Sequence, residues 1–192
     1  MTILAQRLEL LQKRIEKASG LYNRPLKGIR LIAVSKRQPA QSVAEAGGLG
    51  LTDFGENYPQ EGTEKISSLG DKPFIWHFIG NIQSNKTKVI AENFDWIHTV
   101  DRLKIAQRLS TQCPQNKHLN ILLQVNIDQD TNKGGLTAAD CPMLVEKISS
   151  LPNLRLRGLM AILSQNTNPR VGYETVAQLH RKIKNAQPPR QA

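Results

Sequence analysis

Apolar residues recur with two different periods along the chain. Between residues 3 and 18 they are spaced three and four apart, which predicts an amphipathic helix with Thr2 as its N-cap. Residues 29–34 form a short run that is apolar on both faces, as expected for a strand buried in a parallel sheet. Residues 39–46 are predicted to be helical again, so the chain begins as helix, strand and helix.

The same alternation continues through the rest of the sequence. Five further strands are predicted, at residues 52–54, 74–79, 96–100, 120–127 and 154–162. Helices are predicted between and after them, at residues 59–69, 85–93, 102–112, 138–150 and 171–185. Strands that begin every ~20–35 residues are typical of an α/β fold, either a (β/α) barrel or a doubly wound sheet. No strand is followed by GxGxxG or GxxxxGK(S/T), which disfavours the nucleotide-binding members of this class.

Length and composition indicate one domain, residues 1–192, in which the turn-rich residues 187–192 are predicted to be a frayed tail. The net charge of +10 comes from 26 basic and 16 acidic residues, spread without any block of like charges. Together with only 5% aromatic residues, this spread disfavours nucleic-acid binding. No apolar window approaches a membrane span or a signal peptide, so we expect no membrane contact and a cytoplasmic location.

The two cysteines, Cys113 and Cys141, are far apart in the sequence and do not have metal-ligand spacing. Reduced, structural thiols are therefore predicted, and no metal site is expected. Reduced thiols also fit a cytoplasmic location.

Candidate chemistry lies where the predicted strands end, because parallel strands present their carboxyl ends at one edge of the sheet. Lys36 follows the first strand, and between apolar walls its desolvated amine could condense with an aldehyde. Taken alone, a lysine after a strand usually extends to water. His77 could be a base or an interior histidine whose hydrogen bonds are satisfied. Asn57 could contact a ligand or cap the following helix. Met160 could form a pocket wall or could pack in the core. Lys133 is most simply a solvated loop lysine.

Seven ordered segments are more specific than any single residue. They are Ala33-Val34-Ser35-Lys36, Phe54-Gly55-Glu56-Asn57-Tyr58, Trp76-His77-Phe78-Ile79-Gly80, Gln83-Ser84-Asn85-Lys86, Val125-Asn126, Lys133-x-Gly135 and Leu156-Arg157-Gly158-Leu159-Met160. In this order they resemble the signature of the pyridoxal phosphate homeostasis family, which includes the eukaryotic proline-synthetase-associated homologue. The resemblance extends from about residue 3 to residue 162.

The resemblance implies a (β/α) TIM-type barrel similar to the N-terminal domain of alanine racemase. In that family the lysine after the first strand, here Lys36, holds pyridoxal 5′-phosphate as an internal aldimine. The resemblance carries over Val34, Asn57, His77 and Met160 as further cofactor-binding positions, with no catalytic residue. It implies a monomeric, cytoplasmic carrier or buffer of the cofactor without robust catalysis, which passes the cofactor to apoenzymes that depend on it.

The sequence departs from the family pattern after residue 161. The two turns that hold the cofactor phosphate in the family do not occur, so we expect six of eight barrel strands, a barrel incomplete at its C-terminus and a tendency to self-associate through open edges. Truncation could also impair cofactor binding. Two other functions stay open: a racemase-like enzyme, which would need a second acid/base group, and a basic protein that binds RNA or a membrane surface.

Overall fold

The computed structural model describes residues 2–186, and the tail predicted at residues 187–192 lies outside the described residues. The helices are α1 (Ile3–Leu21), α2 (Ala40–Gly48), α3 (Pro59–Leu69), α4 (Thr87–Asn93), α5 (Leu103–Gln112), α6 (Cys141–Ser149) and α7 (Pro169–Ala186). The strands are β1 (Ala33–Val34), β2 (Asp53–Glu56), β3 (Ile75–Phe78), β4 (Trp96–Val100), β5 (Leu119–Gln124) and β6 (Leu154–Met160). Each strand is followed by a helix, as the hydrophobic pattern predicted.

The six strands form one parallel sheet in which the order in space equals the order in the chain. Parallel neighbours need a crossover connection, and a helix in each crossover covers one face of the sheet. The six predicted strands and the α/β class are thereby confirmed. The register shifts between Ile97 and Val100 and again between Ile121 and Leu122, as at a β-bulge.

The hydrophobic core lies between the helices and one face of the sheet. Fully buried side chains fill this layer, among them Phe54, Phe78, Phe94, Ile97, Ile105, Leu109, Ile121 and Leu123. Phe78 of β3 and Phe94 pack edge to face, with ring centres 5.3 Å apart. Alternate residues of the strands therefore point to the opposite face, which we call the inner face.

The first strand is shorter than predicted. Only Ala33 and Val34 pair with β2, opposite Phe54 and Gly55, whereas residues 29–32 run toward the sheet as irregular chain. Val34 is 51% exposed, so the prediction of a strand buried on both faces was wrong here. An apolar run indicates a tendency to be buried. The length of the strand depends instead on how many of its residues find backbone hydrogen-bond partners on the neighbouring strand.

Helix ends differ from the prediction where side chains form their own turns. The helix predicted at residues 138–150 begins at Cys141, because Thr137 and Asp140 bond to each other first: Thr137 Oγ1 donates to Asp140 Oδ2 at 2.6 Å. The helix predicted at 85–93 starts as a 3₁₀ turn, Ser84–Lys86. The predicted N-cap is confirmed, since Thr2 Oγ1 accepts from the Ala5 N–H at 3.3 Å.

Both cysteines are buried and form no disulfide, in agreement with the predicted reduced thiols. Burial raises the pKa of Cys113, and raises that of Cys141 to about 11. Across residues 2–186, no helix combines the length and the apolar character needed to cross a bilayer. The same residues contain no group of three histidine, cysteine, aspartate or glutamate side chains suited to hold a metal ion.

Candidate functional site

Lys36 and Asn57 lie at the same edge of the sheet. Lys36 is in a turn immediately after β1, and Asn57 immediately follows the adjacent strand β2. Because all strands are parallel, their carboxyl ends meet at this edge, where ligands bind in α/β folds. Two of the predicted cofactor-binding residues are thus brought to neighbouring strand ends.

The sequence analysis placed Lys36 between apolar walls, but in the structure its side chain is exposed. The apolar surface next to it is on the inner face, where Val34 lies beside Gly55. A Cβ on Gly55 would be 3.1 Å from Ile79 Cδ1, 3.2 Å from Ile32 Cγ2 and 3.6 Å from Val34 Cγ2. Glycine at this position therefore makes room for three aliphatic side chains, and Val34 forms an accessible apolar surface two residues before Lys36.

Asn57 carries an unused acceptor. Its Oδ1 is buried and has no hydrogen-bond partner among the described residues. A buried polar atom without a partner is unfavourable, and such atoms are rare unless a ligand or water completes them. The Asn57 side chain did not become the helix cap that was one interpretation of the sequence, since no side-chain cap bond is formed at the start of α3.

Gly80, at the end of β3, holds the backbone of Asn57 in place by close approach. A Cβ on Gly80 would lie 2.0 Å from the Asn57 carbonyl oxygen and 2.7 Å from its carbonyl carbon. No side chain fits at these distances without moving backbone atoms. The Gly80 carbonyl in turn accepts from Thr99 Oγ1 of β4, so three strand ends are fixed together at the candidate site.

The Gly80→Ala variant is expected to lose about 3 kcal/mol of unfolding free energy, because the clash involves backbone that cannot rotate away. Urea unfolding of both proteins measures the loss. Gly48→Ala is the matched control: Gly48 ends α2 with nothing within 4 Å of an added Cβ, so alanine should be neutral or slightly stabilising. Equal stability of the Gly80→Ala and wild-type proteins would contradict the close approach.

His77 is buried in a chain of polar contacts on the inner face. Its Nε2 lies 2.9 Å from Asp53 Oδ1 and its Nδ1 lies 2.9 Å from His98 Nε2. Because the Asp53 carboxylate only accepts, we assign the Nε2 proton to His77, and His98 then donates to His77. Both ring nitrogens are engaged within the protein. These contacts favour a satisfied interior histidine over a cofactor ligand or a base.

Burial keeps both histidines neutral. It lowers the pKa of His77, against the opposing hydrogen bond and charge of Asp53. Burial lowers the pKa of His98 to about 4, and repulsion from His77, when that ring is protonated, acts in the same direction. A neutral pair is consistent with the proton assignment, since only one proton lies between the two rings.

Two guanidinium groups lie over the ring of Trp96 on the same inner face. The Cζ atoms of Arg30 and Arg157 are 5.9 and 5.7 Å from its ring centre, which are cation–π distances. Arg30 also donates to Asp53 Oδ1 at 3.1 Å, and Arg157 Nε donates to Asn120 Oδ1 at 2.8 Å. Polar and aromatic contacts therefore organise this part of the inner face.

A pocket of about 200 Å³ lies at the carboxyl ends of β5 and β6. Its lining includes Gln124, Asn126, Lys133 and Ile162. Lys133, which was expected to be a solvated loop lysine, is half-buried, and its Nζ donates to Ile162 O at 3.2 Å and to the Ser164 hydroxyl at 3.2 Å. The two loops that follow β5 and β6 are thus joined around this lysine.

The predicted site residues fall into three places. Val34, Lys36 and Asn57 are on the adjacent ends of β1 and β2, and His77 points into the polar inner face of β3. Met160 is half-buried at the end of β6, where its carbonyl accepts from the Val125 N–H. Met160 is thus at the opposite end of the strand order from Lys36.

Sequence reasoning missed a buried ionic group next to Lys36. Lys65 is 6% exposed and bonds to Glu56 and Glu61 at 2.7 Å each. The spacing of Glu61 and Lys65, four residues apart in a predicted helix, was the available signal for an ion pair. Nothing in that spacing indicates that the lysine is buried or that it contacts the turn at Lys36.

Comparison with known proteins places the chain among close relatives. It matches the family model of the alanine racemase N-terminal domain over residues 7–190. A pyridoxal phosphate homeostasis protein of Pseudomonas aeruginosa is 52% identical over 163 residues, which cover 84% of this chain and 71% of the relative. The protein of the same name from Escherichia coli is 46% identical over 166 residues, with the same two coverages.

Solved structures agree with the sequence matches. PipY of Synechococcus elongatus, solved with PLP bound, is 31% identical with a TM-score of 0.78, covering 89% of this chain and 82% of PipY. An alanine racemase from Corynebacterium glutamicum, at 12% identity and a TM-score of 0.61, covers 81% of this chain and 45% of the racemase, and shares the fold alone. The fold class and family expected from the ordered motifs are confirmed. The chain belongs to the family of pyridoxal phosphate homeostasis proteins, which is built on the alanine racemase N-terminal fold.

Proposed function

We propose that this protein binds pyridoxal 5′-phosphate through Lys36 and takes part in the intracellular homeostasis of that cofactor. The observation that carries the proposal is an exposed lysine at the carboxyl end of β1, next to an apolar surface and an unused buried acceptor. Relatives named pyridoxal phosphate homeostasis proteins, at 44–52% identity, and PipY with PLP bound support it.

The residues at this edge fit the chemistry of the cofactor. The neutral amine of Lys36 can add to the aldehyde carbon, after which one water molecule leaves and a C=N bond remains; hydrolysis reverses both steps. Asn57 Oδ1 offers an acceptor to a donor group of the ligand, and half-exposed Val34 offers an apolar surface to a ring. Contact of the cofactor with His77 and Met160 stays a prediction of the sequence.

A reversible covalent bond is compatible with a carrier of the cofactor. It holds a reactive aldehyde out of solution and returns it unchanged when water attacks the imine carbon. We therefore propose a cytoplasmic carrier or buffer without robust catalytic turnover, whose partners are apoenzymes that require the cofactor. Self-association stays a prediction of the sequence, as does the incomplete barrel.

A racemase-like enzyme remains the second candidate, but no contact in the site favours it. The racemase structures similar to this chain share 10–13% identity and therefore indicate the fold alone. Amino-acid racemisation needs acid/base groups on both faces of the cofactor. His77, the best candidate for such a group, has both ring nitrogens engaged with Asp53 and His98.

The proposal is tested by trapping the bond. Adding pyridoxal 5′-phosphate to the purified protein should produce a visible absorption band of the imine, and borohydride should then fix the label on one peptide. We expect mass spectrometry to find the label on Lys36. A label spread evenly over the exposed lysines, or a band equal to that of free lysine in solution, would refute the assignment.

A further inference from the structure

A buried ion cluster contacts the turn that contains Lys36. We call it the Lys65 cluster, consisting of Ser35, Glu56, Glu61 and Lys65. The Lys65 ammonium donates to Ser35 O at 2.6 Å, to Glu56 Oε1 at 2.7 Å and to Glu61 Oε1 at 2.7 Å. An ammonium group has three N–H donors, so every one of them is used. Lys65 is thereby held in place and its amine is not available to a ligand.

Two contacts of this cluster flank Lys36 on either side. The Ser35 carbonyl that accepts from Lys65 belongs to the peptide bond between Ser35 and Lys36. The N–H of Arg37, in the next peptide bond, donates to Glu61 Oε1. Because a peptide group is planar and rigid, these two bonds restrain the peptide planes on either side of the Lys36 Cα, and with them the direction of its Cα–Cβ bond.

The conformation of this turn depends on those contacts. Arg37 has φ 60°, in the left-handed region that residues with a Cβ rarely adopt. Ser35 is held twice more, by its hydroxyl, which donates to Glu56 Oε1 at 2.6 Å, and by its N–H, which donates to Gly55 O at 2.9 Å. The hydrogen bonds around Arg37 therefore hold its backbone in this unfavourable left-handed conformation.

Glu61 stays ionised in this arrangement. Burial raises its pKa, but hydrogen bonds from the Lys65 ammonium and the Arg37 N–H, with the charges of both residues, lower the pKa below its ordinary value. An ionised carboxylate accepts more strongly than a neutral one. The contact between Glu61 and the turn is thus maintained at neutral pH.

We propose that Glu61 and Lys65 are positioning residues for Lys36: they fix the two peptide groups around it and so direct its amine toward the aldehyde of the ligand. The inference rests on the proposed function of Lys36. The proposed role requires no contact between either residue and the ligand. A reacting group that leaves its productive geometry by a small distance reacts more slowly, even when its own chemistry is unchanged.

Three variants of one helix test the inference. Glu61→Ala removes the acceptor, Glu61→Gln keeps an oxygen for the Arg37 N–H, and Glu64→Ala changes an exposed glutamate of the same helix α3 as a control. With pyridoxal 5′-phosphate as the probe, Glu61→Ala should form the imine band about tenfold more slowly. The share of borohydride label on Lys36 should also fall. Glu61→Gln should recover most of both properties, and Glu64→Ala should match wild type.

Thermal melting establishes that each variant is folded before its rate is compared. Lys65→Met would remove all three hydrogen bonds of the ammonium at once. If that variant does not fold, the comparison of Glu61→Ala with Glu61→Gln tests the inference by itself. A folded Glu61→Ala protein with the wild-type rate and selectivity overturns the positioning role and leaves the proposed function intact. Label found on Lys65 overturns it as well. Wild-type protein that is labelled unselectively instead overturns the proposed function itself.

Discussion

Lys36→Arg is expected to abolish the visible imine band completely. A guanidinium group remains protonated at any accessible pH and cannot add to an aldehyde, although it keeps the positive charge of the lysine. Because Lys36 is exposed, the unfolding free energy should change by no more than about 0.5 kcal/mol. Loss of the band in a protein of unchanged stability separates a chemical role from a structural one.

Lys72→Arg is the matched control for this substitution. Lys72 is an exposed lysine that precedes β3, so it lies at the amino edge of the sheet, opposite Lys36. This variant should keep the band and the site of the borohydride label. A Lys36→Arg protein that retains a wild-type band would show that another lysine reacts, and peptide mapping of that variant would identify it.

Acidification from pH 6.5 to pH 4 should lower the unfolding free energy by about 3 kcal/mol through His98 alone, on the scale of 1.36 kcal/mol for each pKa unit. Burial holds the pKa of His98 at about 4 in the folded protein, against 6.5 for an ordinary histidine. Between these pH values the unfolded chain binds one more proton than the folded chain. The contribution of neutral His98 to the unfolding free energy is therefore fully present above pH 6.5 and is lost as the pH decreases. His77, whose pKa burial also lowers, adds in the same direction.

Urea unfolding at several pH values measures this dependence, and one substitution isolates it. His98→Gln retains an N–H that can donate to His77 but does not titrate, so its stability should vary less steeply from pH 6.5 to pH 4. His118→Gln, at an exposed position, is the control and should retain the dependence of the wild-type protein. Equal slopes for the His98→Gln and wild-type proteins would rule out His98 as the source.

The sequence predicted most elements because local signals marked their ends. The helix predicted at residues 59–69 is observed as α3, with Pro59 in its first turn and Gly70 after its last residue. The strand predicted at 96–100 is likewise observed as β4. Such signals are properties of neighbouring residues and are therefore visible in the sequence.

The contacts of the site could not be predicted in the same way. His77 bonds to Asp53 and His98, which are 24 and 21 residues away, and these pairs form only because the strand register sets Gly55 and Trp96 beside His77. Lys65 resembles a surface lysine in the sequence, since its burial depends on how α3 packs against β2. Register and packing are tertiary properties, and no local spacing encodes them.

The agreement between strand order and chain order has a consequence for folding kinetics. Every ladder joins two strands that are successive in the sequence, from β1 with β2 to β5 with β6. Each pairing closes only the loop that contains one crossover. Among the six described strands, pairing therefore does not require contact with a distant part of the chain. The sheet can therefore grow by one strand and one helix at a time in the direction of synthesis, and each new strand finds its neighbour already made.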